Sequence, residues 1–309
     1  VLDFQFMGQA ANAAGIAVAH SAFNVFATCI LLPFSKGLEK LACITIRDEK
    51  EENDETEGLQ LLDERFLDKP ALAMEQSRTV ANYMADASRD CMLAALSMFQ
   101  EYKGELEDKI VEDENKVDKY EDALGTYLVR LGQKDLSQRD SRDLSVILHC
   151  IGDFERISDH AINIQESAKE LYEKGMGFSK KAQEELEVFT RAIEDIMNMT
   201  LIVFEEEDVD MAKSVEPLEE LIDYLSDELK NRHIERLREG NCTIEQGFVF
   251  SDITTNFERV SDHCSNIAVC MLEIAHGSLD THEYLSHVKV DGENDFAAKY
   301  AEYKEKYAI

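Results

Sequence analysis

The stretch FERISDHAINI at residues 154–164 decides the fold, because it returns as FERVSDHCSNI at residues 257–267. Eight of the eleven positions are identical, and the second copy follows the first at an offset of 258 − 155 = 103 residues. Agreement this dense over so long a spacing indicates an internal duplication. The chain is therefore predicted to contain two copies of one structural unit.

Long helices are the predicted secondary structure of both copies. The chain has 14 glycines and only 3 prolines among 309 residues, which is little punctuation for a β-rich fold. Apolar residues recur at helical spacing between short loops, and Ser141 is the predicted N-cap of one helix. Each copy is thus predicted to be an antiparallel three-helix bundle, and the fold class is all-α. The predicted helices cover residues 71–102, 109–131 and 141–174, then 180–206, 211–239 and 243–276.

The predicted domain organisation follows from these helices. The first bundle is expected over 70–178 and the second over 179–277, followed by a C-terminal tail at 278–309 with a short helix at about 294–307. Upstream, the acidic run RDEKEENDETE at 47–57 has no apolar periodicity and begins a linker predicted over 47–69. Residues 1–46 then form a separate N-terminal segment.

An apolar run at residues 13–34 is about as long as a segment that spans a bilayer. No charged residue occurs between Asp3 and Lys36. We expect a transmembrane helix here, the last one of a membrane domain that ends at residue 46; a buried helix of a soluble core is the alternative. Basic residues follow the run and place the next segment in the cytoplasm, namely Lys36, Lys40 and Arg47.

Polar residues interrupt this run at His20, Ser21 and Asn24. His20 and Asn24 are four apart, so they share one face of a helix. Polar groups at membrane depth usually face the interior of a helix bundle or a transport pathway. His20 and Asn24 are therefore candidates for a transport pathway.

The overall charge favours cations as small partners. Lys and Arg number 32 against 64 Asp and Glu, which gives a net charge of −32. This charge opposes binding of nucleic acid by the folded part of the chain. The seven cysteines are odd in number and lack CxxC spacing, so reduced thiols in a cytosolic setting are expected.

Each copy carries two Glu-x-x-x-Asp pairs, one on its second helix and one on its third. The four-residue spacing stacks the two carboxylates of a pair on one helical face. If the second and third helices pack antiparallel, four carboxylates converge, and such hard oxygen ligands suit Mg²⁺, Ca²⁺, Mn²⁺ or iron. Ordinary ion pairs with Arg156 and Arg259 are the competing interpretation. The pairs are Glu114 and Asp118, Glu155 and Asp159, Glu219 and Asp223, and Glu258 and Asp262.

The other polar residues of the repeated motif have less specific predictions. His160 and His263 point about 100° away from the adjacent Asp, so packing or hydrogen bonding is expected rather than ligation. Asn163 and Asn266 either extend the polar face or bond between helices. No catalytic residue is predicted and the chain is not expected to be an enzyme, because a di-metal carboxylate bundle needs Glu-x-x-His on two helices. The sequence offers one such motif, from Glu273 to His276.

Two three-helix bundles with these pairs and this motif resemble a PhoU domain, over about residues 70–277. Upstream, AHSAFNVF at 19–26, LLPF at 31–34 and LDERFLDKPALA at 62–73 are similar to the end of the membrane region in bacterial Na⁺/phosphate cotransporters. That family carries a PhoU-like domain at its cytoplasmic C-terminus. The resemblance implies that the chain, which begins at Val1, is the C-terminal portion of such a protein.

The resemblance also implies a function. In PhoU proteins the pairs resemble ligands of metal clusters, commonly iron or other divalent ions, which carries over to the eight carboxylates named above. The implied role is regulation of phosphate uptake in the cell membrane, with sodium and inorganic phosphate bound by a membrane domain whose Gln-Ser-Ser repeats this chain lacks. A regulatory protein partner and a homo-oligomer are expected. The alternative is a soluble PhoU-like adaptor that acts by protein–protein interaction and has no transport role.

Overall fold

The computed structural model describes residues 13–31, 56–276 and 293–309, which form helices joined by turns and loops, with no strand among them. The chain divides into two compact units, Val1–Asp54 and Glu55–Ile309. Both repeats of the sequence therefore lie in the second unit, together with the C-terminal residues.

The first unit contains helix α1, Ala13–Leu31, where a helix over 13–34 was predicted; residues 32–34 lie outside the described part. Asn24 donates through Nδ2 to Nδ1 of His20 at 3.2 Å, so the two polar residues do share a face. The described side chains of α1 are mostly exposed, and Phe23 and Phe26 are each 67% exposed. None of the helices in the described residues is both long enough and apolar enough to cross a membrane.

Within residues 56–276 and 293–309, the second unit contains seven α-helices whose positions agree with the predicted pattern. Boundaries differ by up to five residues, at the end of α2 and at the start of α3. The helices are α2 Pro70–Ser97, α3 Gly104–Leu131, α4 Gln138–Glu173, α5 Lys180–Glu206, α6 Val209–Arg238, α7 Ile244–His276 and α8 Glu293–Lys306.

Local capping explains where several helices start. Pro70 occupies the first position of α2, where its missing N–H costs nothing. Helix α4 begins one turn earlier than predicted, because Ser137 rather than Ser141 is its N-cap and accepts from the Asp140 N–H at 3.1 Å. Asp208 caps α6 by accepting from two backbone N–H groups.

Glycines end two of the helices. Gly175 after α4 and Gly240 after α6 have φ of 60° and 74°, a conformation that other residues rarely adopt. In each case the next residue donates its N–H back to a carbonyl of the last turn, from Met176 to Leu171 and from Asn241 to Arg236, both at 2.9 Å. These are Schellman motifs, and they turn the chain toward the following helix.

The two repeats share one hydrophobic core. Helices α4 and α7, which carry the repeated motif, pack against each other and run antiparallel. Aromatic side chains cross between repeats: Phe99 packs edge-on against Phe257 at 6.3 Å, and Phe204 packs against Phe154 at 5.0 Å. The buried hydrophobic residues of both repeats consequently form a single cluster.

A flanking segment covers the groove between the first two helices of each repeat. Residues 56–69, the described part of the predicted linker, contain two 3₁₀ turns and receive hydrogen bonds from Tyr120 and Tyr127 of α3. In the second repeat, α8 packs along α6, and Tyr307 donates to Asp195 of α5. The predicted tail helix therefore forms and docks on the second repeat.

Candidate metal centre

The first carboxylate cluster joins α3 to α4. Glu114 and Asp118 lie one turn apart on α3, and Asp159 faces them from α4. One oxygen from each carboxylate lies within 4.8 Å of the other two. Antiparallel packing of α3 and α4 produces this approach. The same alignment brings Lys169 of α4 to Glu107 at 2.6 Å, about three turns along α3 from Asp118.

The second repeat builds a matching cluster. Glu219 and Asp223 on α6 face Asp262 on α7, again with one oxygen of each within 4.8 Å of the others. Six of the eight predicted ligands thus come together in two groups of three. In both groups the Glu of the second helix and the Asp of the third helix are half-buried and the Asp of the second helix is exposed, so the clusters are open to solvent.

Glu155 and Glu258, the remaining two predicted ligands, lie beside the clusters in different surroundings. Glu258 accepts from Lys230 Nζ and from Ser226 Oγ, each at 3.0 Å. Glu155 has only the guanidinium of Arg156 nearby, at 3.4 Å, among the ion pairs of the described residues. The two repeats therefore differ at their fourth carboxylate.

Crowding of like charges marks both clusters. Burial and the neighbouring carboxylates Asp118 and Asp159 raise the pKa of Glu114. Burial, together with Asp262 and Glu258, raises the pKa of Asp223 to about 6. Both effects disfavour the charged carboxylate, so a cation placed among these groups would relieve the repulsion.

The fourth carboxylates respond to their different neighbours. Burial and Asp159 raise the pKa of Glu155. Burial also raises the pKa of Glu258, but the hydrogen bonds from Lys230 and Ser226 outweigh it, and the pKa lies below its usual value. Glu258 is therefore already neutralised by the protein, whereas Glu155 is not.

The arginines of the repeated motif pair with the aspartates of the third helices. Arg156 lies 3.2 Å from Asp159, and Arg259 lies 3.0 Å from Asp262. The two arginine side chains are 60% and 58% exposed, and exposed pairs of this kind contribute about 0–1 kcal/mol. The competing interpretation thus holds for these two aspartates, but in the described residues neither arginine pairs with Asp118 or Asp223.

The histidines and asparagines of the motif bond between the repeats. His160 donates through Nδ1 to Oδ1 of Asn256 at 2.8 Å, and Asn163 donates to the same oxygen at 3.3 Å. In the other direction, Asp153 accepts from Nδ1 of His263 at 2.8 Å and from Nδ2 of Asn266 at 3.3 Å. These side chains hold α4 against α7. Of the two roles predicted for Asn163 and Asn266, the structure shows the hydrogen bonds between helices.

The donor set of each cluster fits a hard divalent ion. Three carboxylate oxygens within 4.8 Å of one another can share an ion whose oxygen ligands lie about 2.0–2.6 Å away. Neither cluster contains a thiolate or an imidazole, the ligands that copper and zinc sites commonly use. The exposed faces leave room for water or a further ligand.

Sequence reasoning missed Ser226 and Lys230, which bind Glu258. The second helices of the two repeats align at an offset of 219 − 114 = 105 residues. At that offset Glu121 corresponds to Ser226, and Gly125 corresponds to Lys230. This difference is visible in the sequence, but only the contact of Lys230 with Glu258 gives it a meaning.

The chain has recognisable relatives. The PhoU domain family matches residues 82–168 and 187–271, together more than half of the chain. A Thermotoga maritima protein named "Phosphate-specific transport system accessory protein PhoU homolog 1" is 30% identical over 159 residues, which are 49% of this chain and 64% of the relative. An Escherichia coli protein named "Putative inorganic phosphate export protein YjbB" is 21% identical over 259 residues, 82% of this chain and 47% of the relative.

Solved structures agree with the fold. PhoU from Pseudomonas aeruginosa superposes with a TM-score of 0.62 at 20% identity, over 66% of this chain and 97% of that one. The phosphate transport system regulatory protein PhoU from Streptococcus pneumoniae superposes with a TM-score of 0.61 at 19% identity, over 68% and 99%. The chain spans only about half to two thirds of the length of the two relatives named above. The family match covers each of the two repeats, at 82–168 and at 187–271, and it shows that this chain belongs to the PhoU domain family.

Proposed function

We propose that this chain is a metal-binding regulator of phosphate transport, carried at the cytoplasmic C-terminus of a sodium-dependent phosphate transporter in the cell membrane. The observation that carries the proposal is the pair of matching carboxylate clusters, Glu114, Asp118 and Asp159 in one repeat and Glu219, Asp223 and Asp262 in the other. The phosphate context is supported by the names of relatives, since the Thermotoga and Escherichia coli proteins are both named for phosphate transport or export.

The clusters would hold the metal between the second and third helices of each repeat. A bound divalent ion supplies positive charge that the carboxylates can share. Those carboxylates bind and orient the ion, and their repulsion in its absence favours uptake of the ion. Binding would draw α3 toward α4 and α6 toward α7, and would change the charge of the surface presented to a regulatory partner or to a membrane domain.

Metal content tests the binding step. The full chain purified without chelator is expected to carry divalent or iron ions measured by mass spectrometry, and the double variant Asp159→Asn, Asp262→Asn is expected to lose them. Glu166→Gln is the matched control, because Glu166 is an exposed carboxylate on α4 away from both clusters. A folded parent protein that carries no metal under these conditions would refute metal binding.

The transporter part of the proposal concerns the N-terminal segment. The match to YjbB covers 82% of this chain but only 47% of that protein, so a protein named for phosphate export carries a further region beside the part that matches this chain. Helix α1 would be the last membrane helix, with His20 and Asn24 toward the transport pathway. The full-length protein is then expected to resist carbonate extraction, and phosphate movement in cells that express it should depend on sodium.

A soluble adaptor is the second candidate. It is favoured by the Thermotoga maritima relative, which is named as an accessory protein of a phosphate-specific transport system. Such an adaptor would regulate transport and signalling through a protein partner and would take no part in moving phosphate. Release of the full-length protein by carbonate without detergent, together with unchanged phosphate flux in vesicles that contain it, would select the adaptor over the transporter.

A further inference from the structure

The two carboxylate clusters are alike in their three core residues and unlike beside them. At the offset of 105 residues, Glu114 matches Glu219 and Asp118 matches Asp223, so the second helices present the same two ligands. One turn and two turns further on, the first repeat has Glu121 and Gly125, where the second has Ser226 and Lys230. The difference adds a positive charge and removes a negative charge in the second repeat.

Lys230 binds the carboxylate that lies beside the second cluster. Its Nζ lies 3.0 Å from Oε2 of Glu258, and both side chains are about one third exposed. The buried hydroxyl of Ser226 donates to the same oxygen at 3.0 Å, so two donors hold this carboxylate. Glu258 is thereby held by two donors of the protein itself, and like Glu155 in the first repeat it has no oxygen in the group of three carboxylates.

The first repeat offers no counterpart to this arrangement in the described residues. Gly125 has no side chain, and Glu121 adds a negative charge that acts on Glu155. The guanidinium of Arg156 lies 3.4 Å from Glu155, but its side chain is 60% exposed and it also pairs with Asp159. Glu155 therefore remains available as a fourth oxygen ligand.

We propose that Lys230 is a resident cation of the second cluster, which withdraws Glu258 from the ligand set and makes the second cluster bind divalent metal ions more weakly than the first. The inference rests on the metal binding proposed above. Its physical basis is that an ammonium group competes with a metal ion for the same carboxylates and repels the incoming ion. One ligand and one charge then separate two sites whose three core carboxylates match.

A titration of the chelator-treated full chain with Mn²⁺, measured by calorimetry, tests the inference. The parent protein is expected to show two classes of site that differ by about tenfold or more in affinity, as one added charge at short range implies. Asp159→Asn should remove the tighter class and Asp262→Asn the weaker one. Lys230→Met, which keeps the length of the side chain, should tighten the weaker class by about tenfold.

The reciprocal change is made at Gly125. A Cβ atom added there would meet only the tip of Ile151 at 4.0 Å, which is ordinary van der Waals contact. Gly125→Lys should weaken the tighter class by about tenfold, whereas Gly125→Met, with a similar volume and no charge, should leave it unchanged. This pair also decides the question if Lys230→Met does not fold.

The outcomes separate the two proposals. Mn²⁺ binding in two equal classes, or unequal classes that do not respond to Lys230→Met and Gly125→Lys, would overturn the role of Lys230 and leave metal binding intact. No binding to any of the folded proteins would overturn both.

Discussion

At the scale of single residues, Asp153 and Asn256 lie at equivalent positions of the two repeats and both accept hydrogen bonds across the interface between α4 and α7. Each lies on the helix opposite the histidine that it binds, and each accepts from one histidine and one asparagine of the other repeat. The rings of His160 and His263 lie 5.7 Å apart between these two bonds. The repeated motif thus joins the copies through side chains that adjoin the candidate ligands Asp159 and Asp262.

The substitution Asn256→Ala removes the acceptor for both His160 and Asn163. We expect the free energy of unfolding to fall by about 1–3 kcal/mol, because a lost hydrogen bond costs about 0.5–1.5 kcal/mol and two are lost at a partly buried position. Urea denaturation measures the change. Asn115→Ala is the control, since Asn115 is exposed and bonds only within its own helix at Val111. Equal stability of the two variants would contradict the role given to Asn256.

His233 predicts a dependence of stability on pH. It is 6% exposed and stacks on Phe250, and its pKa lies below the usual value because of burial and the nearby charge of Arg236. Arg236 is itself paired with the buried Glu185 at 2.6 Å, and the thiol of Cys242 lies 3.8 Å from Nε2 of His233. The folded protein therefore holds this histidine neutral.

Below about pH 6.5 the unfolded chain protonates this histidine while the folded chain does not. Proton binding therefore stabilises the unfolded state relative to the folded state. The contribution of His233 to stability is thus complete above about pH 6.5 and is lost as the pH falls from there through the lowered pKa. Urea denaturation at a series of pH values should show a shallower decline for His233→Gln than for the parent protein. Parallel declines would contradict the prediction.

At the scale of elements, α8 and residues 56–69 have matching roles in the two repeats. The 56–69 segment lies on α3, where the Tyr127 hydroxyl donates to the carbonyl of Asp63 at 3.2 Å. At the corresponding position of α6, Arg232 donates to the carbonyl of Ile309 at 3.1 Å. Gly58 belongs to this arrangement, because its φ is 83° and a Cβ there would lie 2.6 Å from the Tyr83 ring. The segments before and after the duplicated region thus pack on the second helix of the first and of the second repeat, respectively.

The substitution Tyr307→Ala should release α8 from the second repeat. Tyr307 is 2% exposed and donates to Asp195, which also binds Lys306 at 2.6 Å. Loss of a buried aromatic side chain costs about 3–5 kcal/mol, whereas Tyr307→Phe removes only the hydrogen bond and should cost about 0.5–1.5 kcal/mol. Hydrogen exchange of the α8 amides measures the release. Glu302→Ala, exposed on the same helix, is the control and should leave exchange unchanged.

At the scale of the whole molecule, the two repeats are expected to unfold together. Phe99 and Phe204 each pack against the motif phenylalanine of the other repeat, so neither bundle can open without exposing part of the other's core. A shared core of this kind is the condition for a cooperative transition.

The buried thiols provide one probe for each repeat. Cys91 on α2 and Cys264 on α7 are both fully buried, and burial raises the pKa of each to about 12. Labelling of the two thiols at increasing urea, followed by mass spectrometry, should give the same midpoint. Phe257→Ala should lower both midpoints by the same amount. Labelling of Cys264 at lower urea than Cys91 would show that the repeats unfold separately.

Several features of this protein could be predicted from the sequence because they depend on local interactions. Helical periodicity, the Pro70 start and the glycine ends follow from backbone hydrogen bonding within a few residues, so the predicted helices are found with modest shifts such as the one from Ser141 to Ser137. The duplication at 154–164 and 257–267 predicted two equal units, and the family match agrees with it.

The sequence alone thus determined the helices, the duplication and the candidate carboxylate pairs. Helical spacing decides which residues share a face, but not what that face meets. Only the tertiary structure brought Asp118 to Asp159 and Asp223 to Asp262, set Glu258 against Lys230 and joined His160 to Asn256. These partners are about 30 to 100 residues apart, and their meeting depends on how the helices pack, since side-chain contacts between helices are not encoded in any local pattern.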